Sequence, residues 1–340
     1  MRLNALALLI ISILLFGCGE ASRKNLLPRN TGNLGEIVVI APDAFWNLSE
    51  ADVFRKQMNK EMYGLPQSER IFHCVEVKKS GFKDLFKTHR NILNVQIDKG
   101  LENKVSARRE IHSRQQLYIT INAKSVQDLT AIIEERLDQI LQMFHDEETV
   151  RLIDRNKAFG KAEFNNNIAN TIDLDIIIQD GFEVAKATES FLWLRLDREK
   201  PLGGYQHQLS QGLMVYWRPY TDTNQFSDSS LLAWRNDVTK ENVEGPQKSY
   251  MAVSERFLLP YVTESSFEDG AAKEIRGLWR MEGYFMGGPF YSYSFYNPNN
   301  EMQYMVDGYV YAPQFDKLPL LREVEAIAKS VKSRSARGVE

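Results

Sequence analysis

The chain has 340 residues, 43% of them hydrophobic and 26% charged, with a formal net charge of -3. That balance describes a folded body long enough for two ordinary domains or one large one, and it excludes a generally disordered chain. It also argues against nucleic-acid binding, because basic pairs such as Lys78-Lys79 and Arg108-Arg109 are scattered among acids and read as solvated surface.

In chain order, Met1 to Cys18 comes first. Arg2 gives a short positive start, Leu3 to Phe16 is apolar apart from Asn4 and Ser12, and Gly17-Cys18 closes the run. An apolar stretch this short, followed at once by polar chain, fits a secretory signal better than a membrane-spanning helix, which needs about 20 apolar residues. Its end resembles a bacterial lipobox. That resemblance implies a diacylglyceryl group on the Cys18 sulfur, cleavage after Gly17 and acylation of the new amino terminus. Residues 1–17 are then a signal peptide, and the mature chain is anchored to a membrane of the cell envelope through lipid on Cys18. Residues 18–34 read as a tether, with Pro28, Gly32 and no periodicity. Envelope lipoproteins bound for the cell surface often carry an acidic run after the cysteine; Gly19 to Lys24 has one acid, which favours the outer membrane facing the periplasm. With Cys18 lipidated, Cys74 has no partner in the chain, so no internal disulfide forms and Cys74 reads as a small buried hydrophobe.

The β-branched run Glu36 to Ala41 predicts a buried strand, and Ser49 with Asp52 starts a helix carrying Phe54, Met58 and Met62 before Gly64-Leu65-Pro66. Strands are predicted at Arg70–Lys78, Asn91–Ile97 and Gln115–Asn122, with 98–110 as an exposed connection. Ser125 and Asp128 open the longest helix, whose apolar stripe from Leu129 to Phe144 resumes at Val150 and dies near Gly160. It is either one helix of over thirty residues or two joined at 146–149. Asn165-Asn166-Asn167 breaks the periodicity, so the halves are placed at 35–165 and 166–340.

The second half predicts strands at Leu174–Ile178, Phe191–Asp197 and Leu213–Pro219, then a helix opened by Ser227 or Ser229. Three further strands follow at Ile275–Tyr284, Pro289–Tyr296 and Met302–Tyr311, and Asp316 caps a final amphipathic helix. Both halves run strand, helix, three strands, helix. The expected fold class is therefore α+β, with two antiparallel sheets, helices packed on one face of each, and an internal duplication.

Catalytic signals are thin. Gln208-Leu209-Ser210-Gln211-Gly212 lacks the first glycine of a nucleophile elbow, and Ser80-Gly81-Phe82-Lys83 is a two-letter match without its companions. The five histidines show no ligand spacing, His145-Asp146-Glu147-Glu148 cannot converge from one helix, and Asp173 and Asp175 read as the solvent face of a strand. No cofactor or metal is expected. The stretch from Gly277 to Pro313 is dense in aromatics, and alternation sets Tyr291 and Tyr293 on one strand face. Trp279, Tyr291, Tyr293, Tyr309 and Tyr311 are the expected binding residues, a surface able to stack on an envelope glycan or meet another envelope protein.

The lipobox ending at Cys18, Ile37-Val38-Val39-Ile40 before Trp46, Leu65-Pro66-Gln67 ahead of Phe72, Arg90-Asn91-Ile92-Leu93 and the Gly277-Leu278-Trp279 region together resemble an uncharacterised lipoprotein family of Bacteroidota, defined only as a domain of unknown function. The resemblance spans most of the mature chain and implies lineage and compartment, with no activity to carry over. The expected role is non-catalytic binding or assembly in the cell envelope. A hydrolase acting on glycan or peptide is the alternative, to be judged by whether a histidine or serine meets carboxylates in a cleft.

Overall fold

The computed structural model describes residues 26–334. The expected signal peptide, Cys18 and the start of the expected tether lie outside the described residues. The described residues divide into two compact units, one formed by residues 26–60 and 72–147 and the other by 61–71 and 148–334.

The first unit holds β1 (Glu36–Ala41), α1 (Ser49–Met58), β2 (His73–Lys78), α2 (Asp84–Lys87), β3 (Asn91–Ile97), β4 (Lys104–Arg109) and β5 (Leu117–Ala123). They form one sheet in the order β2-β1-β3-β5-β4. Its pairs are parallel except for β4 against β5, which corrects the expected antiparallel sheet. The physical sign was in the sequence. A strand buried on both faces reads as a continuous apolar run, as parallel strands do, and Ile37 and Val39 on one face are as buried as Val38 and Ile40 on the other. The connection expected over 98–110 contains β4, whose charged side chains sit on an exposed edge strand.

Helix α3 (Val126–Phe159) is one unbroken helix of 34 residues. Ser125 caps it by accepting from the Asp128 amide at 3.1 Å. The polar interval that interrupts its stripe stays helical, and its glutamates are paired there: Glu147 takes the Arg109 guanidinium at 2.8 Å and Glu148 takes Arg151 at 3.1 Å.

The second unit continues with α4 (Ala162–Ile172), β6 (Leu174–Asp175), β7 (Glu183–Ala187), β8 (Phe191–Leu202), β9 (Tyr205–Pro219), α5 (Asp228–Asn242), β10 (Tyr250–Ser254), β11 (Tyr261–Phe267), β12 (Gly270–Glu282), β13 (Gly287–Asn297), β14 (Met302–Tyr311), α6 (Leu318–Lys329) and β15 (Lys332–Ser333). The asparagine run expected to separate two halves is helical in α4, whose buried face is Ile168, Ala169 and Ile172. The main sheet runs β10-β12-β13-β14-β9-β8-β7 with β11 also on β12, and every pair in it is antiparallel. The fold class is α+β. The two sheets differ in strand direction and order, so the expected duplication has no counterpart in the topology.

Helices cover this sheet on both faces, where one had been expected. On one face Leu321, Val324, Ile327 and Ala328 of α6 share a core with Tyr291, Tyr293, Phe295 and Val306. On the other, Leu231 and Trp234 of α5 share a core with Tyr216, Phe290, Met305 and Tyr309. Neighbours two apart in β13 therefore enter the same core and adjacent ones enter opposite cores.

Candidate functional site

The sequence-predicted aromatics separate into two groups. Tyr291, Tyr293 and Tyr309 are buried, so the displayed ladder expected of them is core instead. Tyr291 and Tyr293 lie under α6 and Tyr309 lies under α5, the helix that had not been expected on this sheet, and each hydroxyl or ring is committed inside the unit. The Arg276 guanidinium lies 4.8 Å from the centre of the Tyr291 ring. Tyr293 donates to the Ser266 carbonyl at 2.5 Å, and Tyr309 accepts from Trp193 Nε1 at 3.1 Å. Burial pushes the pKa of all three hydroxyls well above the usual tyrosine range. Trp279 is also buried and donates to the Val310 carbonyl at 3.2 Å, but it and the half-buried Tyr311 line an open groove.

That groove follows from the register. On the face covered by α5, Asp197 pairs with Ser210, Ser210 with Tyr311, and Trp279 with both Val253 and Gly288. With Phe290 paired to Tyr309 in the row before, Asp197, Ser210 and Tyr311 on one side and Gly288 and Trp279 on the other stand at the same level of the sheet, one step beyond the last β13–β14 pair. The next row in is closed by Tyr309, whose ring lies over Gly212; a Cβ there would stand 1.9 Å from the ring. The row beyond it has no such lid.

The more apolar part of the groove has a volume of about 640 Å³ and is walled by Leu278, Trp279, Met281 and Met286, with the Arg280–Glu282 ion pair and Arg256 also in its lining. Two loops border it. One, between β10 and β11, presents Phe257 almost fully exposed, and the other, between β12 and β13, presents Tyr284 and a fully exposed Phe285. Of the seven exposed Phe and Tyr side chains among the described residues, five belong here: these three, Tyr261, and Tyr63, which donates to Leu259 in the first loop. Exposed apolar side chains gathered in one patch mark a contact surface, whereas single ones do not.

The same groove continues past Met286 and Tyr311 into a polar cleft of about 380 Å³ lined by Arg195, Asp197, Glu199, Gln208 and Ser210. Arg195 holds Asp197 at 2.8 Å. Arg198, also on the cleft, reaches Glu323 at 3.3 Å. Ser210 Oγ and Arg195 Nε are buried and make no hydrogen bond to any described residue. The cleft thus brings a serine together with carboxylates, the condition set for the hydrolase alternative, but among the described residues no histidine or lysine lines it beside Ser210 to serve as its base. Sequence reasoning weighed Ser210 only as a nucleophile and missed Phe257 and Arg195. One signal was available: Tyr284-Phe285-Met286 between Gly283 and Gly287 is an apolar triplet at a turn, where polar residues are the rule.

The other chemical candidates are structurally occupied. Ser80 donates to the Asp43 carboxylate in a short turn. His145 lies inside α3, far from either end of the helix. Asp173 and Asp175 are exposed opposite Ile172, Leu174 and Ile176, and they meet Asn300 and Arg334 respectively. Cys74 is half-buried on the edge strand β2.

An α+β unit with an amphipathic groove at the open end of its sheet thus defines the site. A family model, domain of unknown function DUF4837, matches residues 161–330, half of the chain, and the chain belongs to that family. A second model, domain of unknown function DUF8532, matches residues 30–157. No curated protein sequence matches. Among solved structures, that of LpqN, involved in cell envelope biogenesis of Mycobacterium tuberculosis, is similar over 46% of this chain and 81% of its own, with 10% identity and a TM-score of 0.25. Among the described residues no helix is long and apolar enough to cross a membrane.

Proposed function

We propose that the chain is a lipoprotein of the bacterial cell envelope, anchored through Cys18 and facing the periplasm, whose second unit binds a partner in the groove without transforming it. The observation that carries the binding role is the pair of outward-facing phenylalanines, Phe257 and Phe285, on neighbouring loops over an apolar trough. Each leaves unburied an area that would yield roughly 1.5–3 kcal/mol on contact with an apolar partner. The lipobox in the sequence supports the compartment, and the uncovered end of the sheet supports the place of contact.

The test uses the chain from Gly19, which holds every described residue, with the environment-sensitive dye anilinonaphthalene sulfonate as reporter. Its emission rises with the wild type, falls with Phe257→Ser/Phe285→Ser, and is displaced by one class of envelope extract, whether lipid, glycan or peptide. Equal emission from both proteins, or displacement by no extract, would remove the groove as the binding site.

A further inference from the structure

We infer that the groove takes a single-chain amphiphile with an uncharged, hydroxyl-rich head, the chemistry of a glycolipid. This rests on the groove being the binding site, and it names the ligand class. The trough and the cleft are halves of one site, sharing Met286 and Tyr311. A ligand filling both is therefore apolar at one end and polar at the other. At the apolar end Met281 and Met286 give a wall that adapts to a flexible chain, and about 640 Å³ is the size of a small-molecule site.

The polar end excludes a charged head. Its two arginines are matched by Asp197 and Glu199, and each arginine already has an acidic partner, Asp197 for Arg195 and Glu323 for Arg198. A phosphate or carboxylate would enter beside two carboxylates, and an ammonium beside two guanidinium groups. What the cleft offers is a mixture of donors and acceptors in one row: Asp197, Ser210 and Tyr311, with Gln208 and Glu199 in the next. Hydroxyl groups, which donate and accept at once, satisfy such a mixture. Ser210 Oγ is the most telling member, because a buried hydroxyl without a hydrogen bond is uncommon in a folded protein.

Calorimetry on the chain from Gly19 tests this with decyl maltoside, decanoate and decyltrimethylammonium, all below micelle formation, and with maltose alone. Decyl maltoside is expected to bind about tenfold more tightly than either charged decyl compound, with maltose alone undetected. Ser210→Ala is expected to weaken decyl maltoside several-fold and leave decanoate unchanged. Equal binding of all three decyl compounds, binding of maltose alone, or indifference to Ser210→Ala would overturn the assignment. If no decyl compound binds while an envelope extract still displaces the dye, the ligand class falls and the groove stands. If nothing displaces the dye, both fall.

Discussion

Arg235 and Asp307 meet inside the second unit with no exposed surface on either side chain, Nε 2.7 Å from Oδ2 and Nη2 3.3 Å from Oδ1. The guanidinium also lies 3.7 Å from the centre of the Phe290 ring. For Asp307 burial is the largest influence and raises the carboxyl pKa; Arg235 pulls it back, but the net direction is up. A raised folded-state value means that this carboxyl favours the fold below its ordinary titration range and that the benefit is lost as pH climbs through the raised value. Holding Asp307 ionised is therefore a cost that the pair only partly offsets. Arg235→Met alone should destabilise by about 3–5 kcal/mol, because it strands Asp307, while Arg235→Met/Asp307→Leu should return to wild-type stability or exceed it. Urea unfolding at pH 4 and pH 7 checks this: the double variant's gain over wild type should be larger at pH 7. A single variant as stable as wild type would refute the account.

Among the elements, α6 shows how a start signal is chosen. The sequence offers Asp316 as its cap, but the amides of Lys317 and Leu318 both donate to the Glu69 carboxylate at 2.8 Å. Asp316 instead accepts from Gln67 at 3.3 Å. A carboxylate at a helix N-terminus satisfies amides that have no partner in the helix and opposes the positive end of its dipole. Glu69→Ala should cost about 0.5–2 kcal/mol, as loss of a cap does, and Asp316→Ala much less. Thermal unfolding of the two variants decides it, and equal losses would return the cap to Asp316. Other boundaries were legible locally. Ser125 and Ser227 each cap the helix that follows them, accepting from the amide three residues on, because a side chain that near needs no help from the rest of the fold. The strands over 183–187, 250–254 and 261–267 were not legible, since short, half-polar edge strands carry little alternation of their own.

For the whole molecule, the prediction concerns its anchor. Metabolic labelling with palmitate should mark the wild type and not Cys18→Ala, and the variant should leave the membrane fraction for the soluble one. A labelled variant, or an unlabelled wild type, would end the lipoprotein reading. The two units are built on different sheets. Each has its own buried strands, parallel and covered on both sides in the first, antiparallel between two helices in the second.

The sequence by itself determined the α+β class, the apolar stripe of the long helix though not whether it is one helix or two, and the aromatic wealth of the last three strands, because periodicity and nearby caps are local properties. Tertiary structure alone decided which aromatics are seen. Tyr291, Tyr293 and Tyr309 have the alternation of a half-exposed sheet, and only the arrival of α5 on one face and α6 on the other makes both faces core. The groove is likewise a product of register, since Asp197, Ser210, Tyr311 and Trp279 are far apart in the chain and reach the same level of the sheet only once β8, β9, β14, β13 and β12 are paired. Burial and cross-strand neighbours are set by pairing over long separations, and no short window of sequence contains them.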